Sequence, residues 1–157
     1  MRVHLLTIGG ILEPGLKAAA DMYERRVRHY FKLEVQEVPR AGKGVTDPEK
    51  VRELEAGRLA AALPASCDIV ALTRTGKGMS SRRLAGYLER LGTYGHEGVA
   101  FVIGGSEGLA ESLLKSARYR LALSPMTLSH ELARVVLLEQ LYRAGTIMRG
   151  EPYHRGP

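Results

Sequence analysis

The most informative stretch of the sequence is Val99-Ala100-Phe101-Val102-Ile103-Gly104-Gly105-Ser106-Glu107-Gly108. Its first half is a continuous apolar run of strand length, which is typical of a central strand that is buried on both faces. Its second half is rich in glycine, which lacks a Cβ and lets the backbone turn sharply and approach a ligand. Such a turn lies at the carboxyl edge of a parallel sheet, where ligands bind. The stretch therefore predicts a central strand followed by a ligand loop, although a tight turn without a ligand would have the same local sequence.

Two common nucleotide-binding motifs are absent. The glycine spacing of residues 104–108 differs from the G-x-G-x-x-G fingerprint, so NAD is disfavoured. Residues 75–78 suggest a P-loop, but Ala71 stands where its first glycine is required, and no Ser or Thr follows Lys77. An NTPase is therefore rejected. Lys77 is left with two interpretations, a phosphate contact from a flexible loop or an ordinary solvated lysine.

Apolar runs of strand length alternate with longer segments of helical period along the whole chain, as in βαβ units with a largely parallel sheet. Strands are expected at residues 3–8, 33–38, 68–72, 99–103 and about 119–123. Helices are expected at residues 16–30, 47–62, 80–91, shortly after 108 and 130–148. Segments 39–44, 73–79 and 123–129 are interpreted as loops. Because no repeat or linker divides residues 1–157, we expect a single α/β domain, a mostly parallel sheet flanked by helices.

Composition and net charge limit the classes of molecule that the protein could bind and the place where it could work. A formal net charge of +6 and a pI near 9.7 favour polyanions, because each Lys or Arg contact with a phosphate releases counterions, although a basic excess also serves solubility. No apolar run approaches the roughly 20 residues of a membrane span, and Glu13 interrupts the first apolar stretch, so we expect a cytoplasmic protein. Cys67 is the only cysteine, and the histidines lack the spacing of a zinc hydrolase, so no metal is expected.

Three further regions carry candidate residues. Segment 123–129 mixes apolar and hydroxyl residues without any period, which suits either a packed loop facing a partly apolar ligand or a buried connector.

The last helix has a wide apolar surface that allows two interpretations. The helix could pack both on its own sheet and on another subunit, or it could pack in the core alone. In the tail, Tyr153, His154 and Arg155 combine a stacking ring, a titratable imidazole and a guanidinium, which would contact RNA if the tail is ordered.

Four stretches together resemble the RlmH (YbeA-like) family of the SPOUT methyltransferases, and the resemblance covers essentially the whole chain in order and length. They are Ile103-Gly104-Gly105-Ser106-Glu107-Gly108-Leu109, Leu123-Ser124-Pro125-Met126-Thr127-Leu128-Ser129-His130-Glu131-Leu132-x-Arg134, Leu138-Glu139-Gln140-Leu141-Tyr142-Arg143-Ala144 and Met148-Arg149-Gly150-Glu151-Pro152-Tyr153-His154-Arg155.

The resemblance implies a compact SPOUT (α/β-knot) fold with a deep trefoil knot near the C-terminus, a symmetric homodimer, and S-adenosylmethionine bound in a bent form by the knot loops. The implied activity is N3-methylation of a pseudouridine in a 23S rRNA hairpin loop of the assembled ribosome. Periodicity cannot reveal a knot, and knots are rare among folds, so this feature rests on the resemblance alone. The single domain leaves no room for a separate RNA-binding domain.

The resemblance also implies roles for individual residues, which are carried over from the matching positions of the family's motifs. The cofactor cradle would be formed by Leu72, Gly104, Gly105, Leu123, Ser124, Pro125, Met126, Thr127 and Leu128. The catalytic candidates are His154, Arg143 and Glu139, with His154 preferred to Glu139 as the proton acceptor. The candidates for contact with the RNA are Arg40, Lys43, Lys77, His130, Arg134, Arg149, Tyr153 and Arg155. His130 lies at the start of the last helix, where it could equally have a purely structural role.

The chain departs from the family pattern at two positions. Thr73 stands where relatives usually have an acid, so a role for a carboxylate near the cofactor at that point is not expected. Ser129 stands where many relatives have a proline before the histidine, and we expect this difference to change only the stiffness of the loop. Two other functions stay open at this stage: a noncatalytic ribosome-binding protein on a knotted scaffold, and a methyltransferase that acts on tRNA.

Overall fold

The computed structural model describes residues 1–94 and 98–154. The strands are β1 (Arg2–Ile8), β2 (Lys32–Val38), β3 (Cys67–Gly78), β4 (Gly98–Ile103) and β5 (Tyr119–Ala122). The helices are α1 (Pro14–Val27), α2 (Pro48–Ala62), α3 (Ser81–Thr93), α4 (Glu111–Ser116) and α5 (His130–Met148). The predicted element order is confirmed. The first helix, however, ends at Val27, so Tyr30 lies in the turn beyond it rather than on its last turn.

The strands form one parallel sheet in the order β2-β1-β4-β3-β5. Every residue of β4 is buried, which confirms its prediction as the central strand. Its alternate side chains serve two cores: Phe101 packs in the core covered by α1, α3 and α5, whereas Val102 packs in the core covered by α2 and α4. The α/β class with helices on both faces of a parallel sheet is therefore confirmed. The trefoil knot stays a prediction.

The prediction of a loop at residues 73–79 was wrong, because β3 continues to Gly78. After a register shift between Leu72 and Lys77, the strand pairs with β5 again. Gly76 permits this pairing, since a Cβ on it would lie 2.6 Å from the carbonyl oxygen of Arg120. Lys77 therefore sits in a strand opposite Leu121, with its side chain exposed, and not on a flexible loop.

Helix α5 starts and ends with well-defined caps. The Ser129 hydroxyl accepts a hydrogen bond from the backbone N–H of Leu132 at 3.3 Å, so the residue that replaces the family proline acts as the N-cap. At the other end, Gly150 has φ +67°, and the Glu151 N–H donates to the carbonyl of Thr146 at 2.9 Å, which together form a Schellman motif. This motif turns the following tail back along the helix.

In the described ranges, no helix is both long enough and apolar enough to span a bilayer.

Candidate active site

A cleft of about 660 Å³ opens at the carboxyl ends of β3, β4 and β5. Three segments build its walls: the irregular part of β3, the glycine loop after β4, and the segment between β5 and α5. The lining residues are Arg52, Leu72, Thr73, Arg74, Thr75, Ile103, Gly104, Gly105, Ser106, Glu107, Gly108, Leu109, Leu121, Leu123, Ser124, Met126, Thr127, Leu128, Ser129, His130 and Ala133. Both apolar and polar residues line it, which suits an organic ligand of nucleoside size or larger.

Only glycine fits the tight turn after β4. A Cβ on Gly104 would lie 2.7 Å from the carbonyl carbon of Gly108, and Gly108 itself has φ +80°. The Gly108 N–H donates to the Gly105 carbonyl at 3.1 Å and closes the turn. The loop therefore brings bare backbone to the cleft wall, as its sequence predicted.

The segment between β5 and α5 forms the opposite wall. Inside it, the Ser124 hydroxyl accepts a hydrogen bond from the Met126 N–H at 3.0 Å and fixes a local turn. Every residue assigned to the cofactor cradle from the sequence lines this cleft except Pro125. The two stretches that the sequence analysis singled out thus share one cavity, which is the spatial relationship that the cofactor assignment requires.

Basic groups lie on the rim of the cleft. Arg52 and Arg74 are among its lining residues, and Arg52 donates to the Glu107 carbonyl at 3.4 Å. His130 also lines the cleft, and its Nε2 lies 3.3 Å from Nη2 of Arg40. Two of the predicted RNA contacts, Arg40 and His130, therefore meet at the mouth. Lys43 is exposed on the loop that follows Arg40.

The position of Arg134 contradicts its assignment as an RNA contact. The residue is only 4% exposed, and its guanidinium donates to Glu24 at 3.0 Å and to Glu37 at 2.7 Å. Burial opposes the charge of Arg134, but the hydrogen bonds to Glu37 and Glu24 outweigh it and raise the pKa of the guanidinium. Arg134 therefore cross-links α1, the end of β2 and α5, and it presents almost no surface to a polyanion.

Two of the catalytic candidates, Glu139 and Arg143, form a second cluster with Tyr142 and with Tyr153 of the tail. We call these four residues, together with His154 directly after Tyr153 in the chain, the tail cluster. Glu139 Oε1 accepts hydrogen bonds from Arg143 Nη2 at 2.7 Å and from the Tyr153 hydroxyl at 3.1 Å. The Arg143 guanidinium lies 4.8 Å from the centre of the Tyr153 ring, and that ring lies 4.6 Å from the ring of Tyr142. Burial, with hydrogen bonds to Tyr23 and Glu139, raises the pKa of Tyr153 to about 12.

The imidazole of His154 is enclosed but lacks hydrogen bonds. Both ring nitrogens are buried, and neither has a partner among residues 1–94 and 98–154. At the end of α5, Arg149 lies over the Tyr30 ring at 4.6 Å and donates to the His29 carbonyl at 2.9 Å. Arg155, which was assigned to RNA contact, lies outside the described residues.

One chain does not bring the cleft and the tail cluster together. Glu139 follows His130 by nine positions on α5, which corresponds to about 14 Å along the axis and about half a turn around it. Arg143 lies one turn further on. The cleft is therefore next to the start of α5, whereas the tail cluster projects from the opposite side, closer to its end.

The contribution of α2 to the site was not predicted from the sequence. Arg52 lines the cleft, and Glu55 is buried one turn later beside Gly105. Both residues look like ordinary polar positions of an amphipathic helix, and the only available signal was their common helical face, at i and i+3.

Similarity to known proteins agrees with this geometry. The family model described as Predicted SPOUT methyltransferase matches residues 1–154. Ribosomal RNA large subunit methyltransferase H of Gemmatimonas aurantiaca is 47% identical over 155 residues, with 99% of this chain and 100% of the relative covered. The Listeria monocytogenes (strain CLIP80459) protein of the same name is 40% identical over 159 residues, with 99% and 100% covered. A crystal structure of a probable methyltransferase from Bordetella pertussis Tohama I shares the fold, with a TM-score of 0.57 at 21% identity over 92% of this chain and 94% of that chain.

Proposed function

The chain belongs to the RlmH group of the SPOUT methyltransferase family, and we propose that it methylates N3 of a pseudouridine in a 23S rRNA hairpin loop on the assembled ribosome. Methyltransferases of this family take the methyl group from S-adenosylmethionine. The observation that carries the proposal is the meeting of the glycine loop and segment 123–129 in one cleft. Such a substrate also implies a cytoplasmic enzyme.

The residues of the cleft fit S-adenosylmethionine. The volume of about 660 Å³ lies within the usual range of organic ligand sites, and Gly104 and Gly105 put backbone without side chains on the cleft wall. Leu72, Ile103 and Leu121 offer apolar surface to a base, and the backbone of segment 123–129 offers polar groups. When bound, the cofactor supplies a methyl group that its sulfonium already makes electrophilic.

The protein's own task is to position the base and to take its proton. Attack requires the nucleophilic nitrogen at about 3–3.5 Å from the methyl carbon, in line with the breaking bond. The imino nitrogen loses a proton, for which the unpartnered nitrogens of His154 are the proposed acceptor. Arg143 would favour the deprotonated base electrostatically, while Glu139 holds Arg143 in place.

A homodimer would bring the cleft and the tail cluster together in one active site. The cleft and the tail cluster point away from each other in one chain, so a second copy related by a two-fold axis is needed to set one against the other. Large apolar side chains are exposed around the start of α5, where Leu12 and Met126 are 78% exposed and Leu132 is 38% exposed. We infer that the partner chain covers this patch.

The RNA would be held by the surface of the dimer. Arg40 and His130 are at the mouth of the cleft, and the exposed Lys43, Lys77 and Arg149 extend the basic surface. Each phosphate contact of this kind gains free energy from counterion release, so binding to the RNA should weaken steeply as salt is added. Arg155 completes the proposed set.

Mass spectrometry of RNA tests the proposal. The protein is incubated with cofactor carrying an isotopically labelled methyl group and with intact ribosomes, free ribosomal RNA or tRNA. We expect one labelled N3-methylpseudouridine in the large-subunit RNA, with intact ribosomes as the best substrate. Label in tRNA alone would reject the proposed substrate, and no label in any RNA would reject the proposed activity.

A further inference from the structure

Glu55 on α2 is a buried carboxylate directly behind the glycine loop. The residue is 5% exposed, and a Cβ on Gly105 would lie 3.1 Å from its Oε2 and 3.6 Å from its Oε1. Gly105 itself lines the cleft. The carboxylate is thus separated from the cleft by a single layer of backbone that carries no side chain.

This carboxylate is only partly satisfied. Oε1 accepts a hydrogen bond from the Ala41 N–H at 3.0 Å, but Oε2 has no partner in the part of the chain that the structure describes. No basic side chain forms an ion pair with Glu55 within those same residues. Burying a carboxylate oxygen without a partner costs stability, so a neutral side chain would serve the fold better at this position. Stability of the fold therefore does not explain why a carboxylate occupies this position.

The other charges facing the cleft are mostly positive. Arg52 and Arg74 line it, and Glu107 is the one acid among its lining residues in the described part of the chain. A positively charged ligand would be repelled by the arginines, and the exposed Glu107 is screened by solvent. A buried charge behind the wall is screened much less, because the medium between it and the ligand has a low dielectric constant.

We propose that Glu55 makes the cleft selective for the positively charged sulfonium of the methyl donor over the neutral thioether left after transfer. The proposal rests on the proposed function, since it requires S-adenosylmethionine in this cleft. Methyl transfer removes the positive charge from sulfur, so the attraction to Glu55 ends with the reaction. Glu55 thereby favours donor binding and product exchange, and it is a specificity-determining residue that need not touch the ligand.

Calorimetric titration with S-adenosylmethionine and with S-adenosylhomocysteine tests this directly. In Glu55→Gln, which keeps the shape and an oxygen acceptor for Ala41, we expect the Kd of the donor to rise about tenfold and that of the product to change less than about twofold. Glu55→Asp keeps the charge and should keep the wild-type ratio of the two constants. Glu53→Gln is the matched control, because Glu53 lies on the same helix, is exposed and contacts Ser112 at 3.1 Å.

The melting temperature provides a second readout. Glu55→Gln should be at least as stable as the wild type without ligand, whereas loss of a merely structural residue would lower the melting temperature. If Glu55→Gln does not fold, Glu55→Met is the second neutral variant for the same titrations. Equal weakening of donor and product, or no change in either, would overturn the inference while leaving the proposed function intact. Wild-type protein that binds neither compound would instead overturn the proposed function and this inference with it.

Discussion

Tyr153 donates a hydrogen bond to Oε1 of Glu139 at 3.1 Å and thereby ties the C-terminal tail to the middle of α5. The tail can reach Glu139 because the turn at Gly150 reverses the chain at the end of the helix. Packing of the Tyr153 and Tyr142 rings adds apolar contact to this bond. The tail cluster is therefore assembled within one chain before any partner or RNA binds.

The role of His154 can be separated from cofactor binding. Because the imidazole lies in the tail cluster and not in the cleft, His154→Ala should lower kcat about 100-fold and leave the Kd of S-adenosylmethionine unchanged. Steady-state methyl transfer at saturating substrates measures kcat, and calorimetry on the same preparation measures the Kd. Unchanged turnover would remove His154 from the mechanism.

The glycine loop should tolerate no side chain at Gly104. A Cβ there would lie 2.7 Å from the Gly108 carbonyl carbon and 2.8 Å from its oxygen, so Gly104→Ala must displace backbone at the cleft wall. We expect cofactor affinity to fall at least about tenfold, with the secondary structure retained. Gly57→Ala is the control, since a Cβ at that helical position meets nothing within 4 Å. Equal affinities of the two variants would contradict the proposed role of the loop.

Arg134 should contribute to stability rather than to RNA binding. Arg134→Met leaves the buried Glu24 without this partner, and we expect the free energy of unfolding to fall by about 3 kcal/mol. Arg28→Met removes the exposed partner of the same Glu24, which lies at 3.4 Å, and should cost at most about 0.5 kcal/mol. Urea unfolding measures both variants. A loss for Arg134→Met no larger than that for Arg28→Met would show that the buried pairs contribute little.

Alkaline pH should destabilise the protein through Tyr87. Burial, together with Asp68, raises the pKa of Tyr87 from 10.0 to about 12. Because the folded state holds this proton more tightly than the unfolded chain, the contribution is complete below pH 10 and is lost as the pH rises through 12. Thermal unfolding between pH 9 and 12 should therefore decline less steeply in Tyr87→Phe than in the wild type. Parallel declines would rule out Tyr87 as a source of the alkaline sensitivity.

The parts of the fold and of the cleft that depend on neighbouring residues in the sequence could be predicted. The apolar run before Gly104 specifies a buried strand, and the glycines after it specify a turn that approaches a ligand, whatever the rest of the chain does. The last helix was predicted from the wide apolar surface of residues 130–148, whereas its cap at Ser129 was found only in the structure.

The features that were not predicted depend on partners distant in sequence. The second half of β3 becomes a strand only because β5 pairs with it, and its glycines and lysine indicate a loop by themselves. Arg134 is buried because Glu24 and Glu37 come from elements more than 90 positions away. Glu55 is part of an ordinary helical pattern, and only the packing of α2 against Gly105 gives it a special environment.

If the cleft of one subunit works with the tail cluster of the other, two variants that are defective in different halves of the site should complement each other in a mixed dimer. Assayed at a cofactor concentration below the wild-type Kd, Gly104→Ala is expected to keep at most about a tenth of the wild-type rate and His154→Ala about a hundredth. Random reassociation of the two proteins would make half of the dimers mixed. Each mixed dimer would contain one site with an intact cleft and an intact tail, so the mixture should recover about one quarter of the wild-type rate of labelled methyl transfer to ribosomes. Activity no higher than the average of the two variants measured alone, in a mixture shown to contain mixed dimers, would contradict the claim.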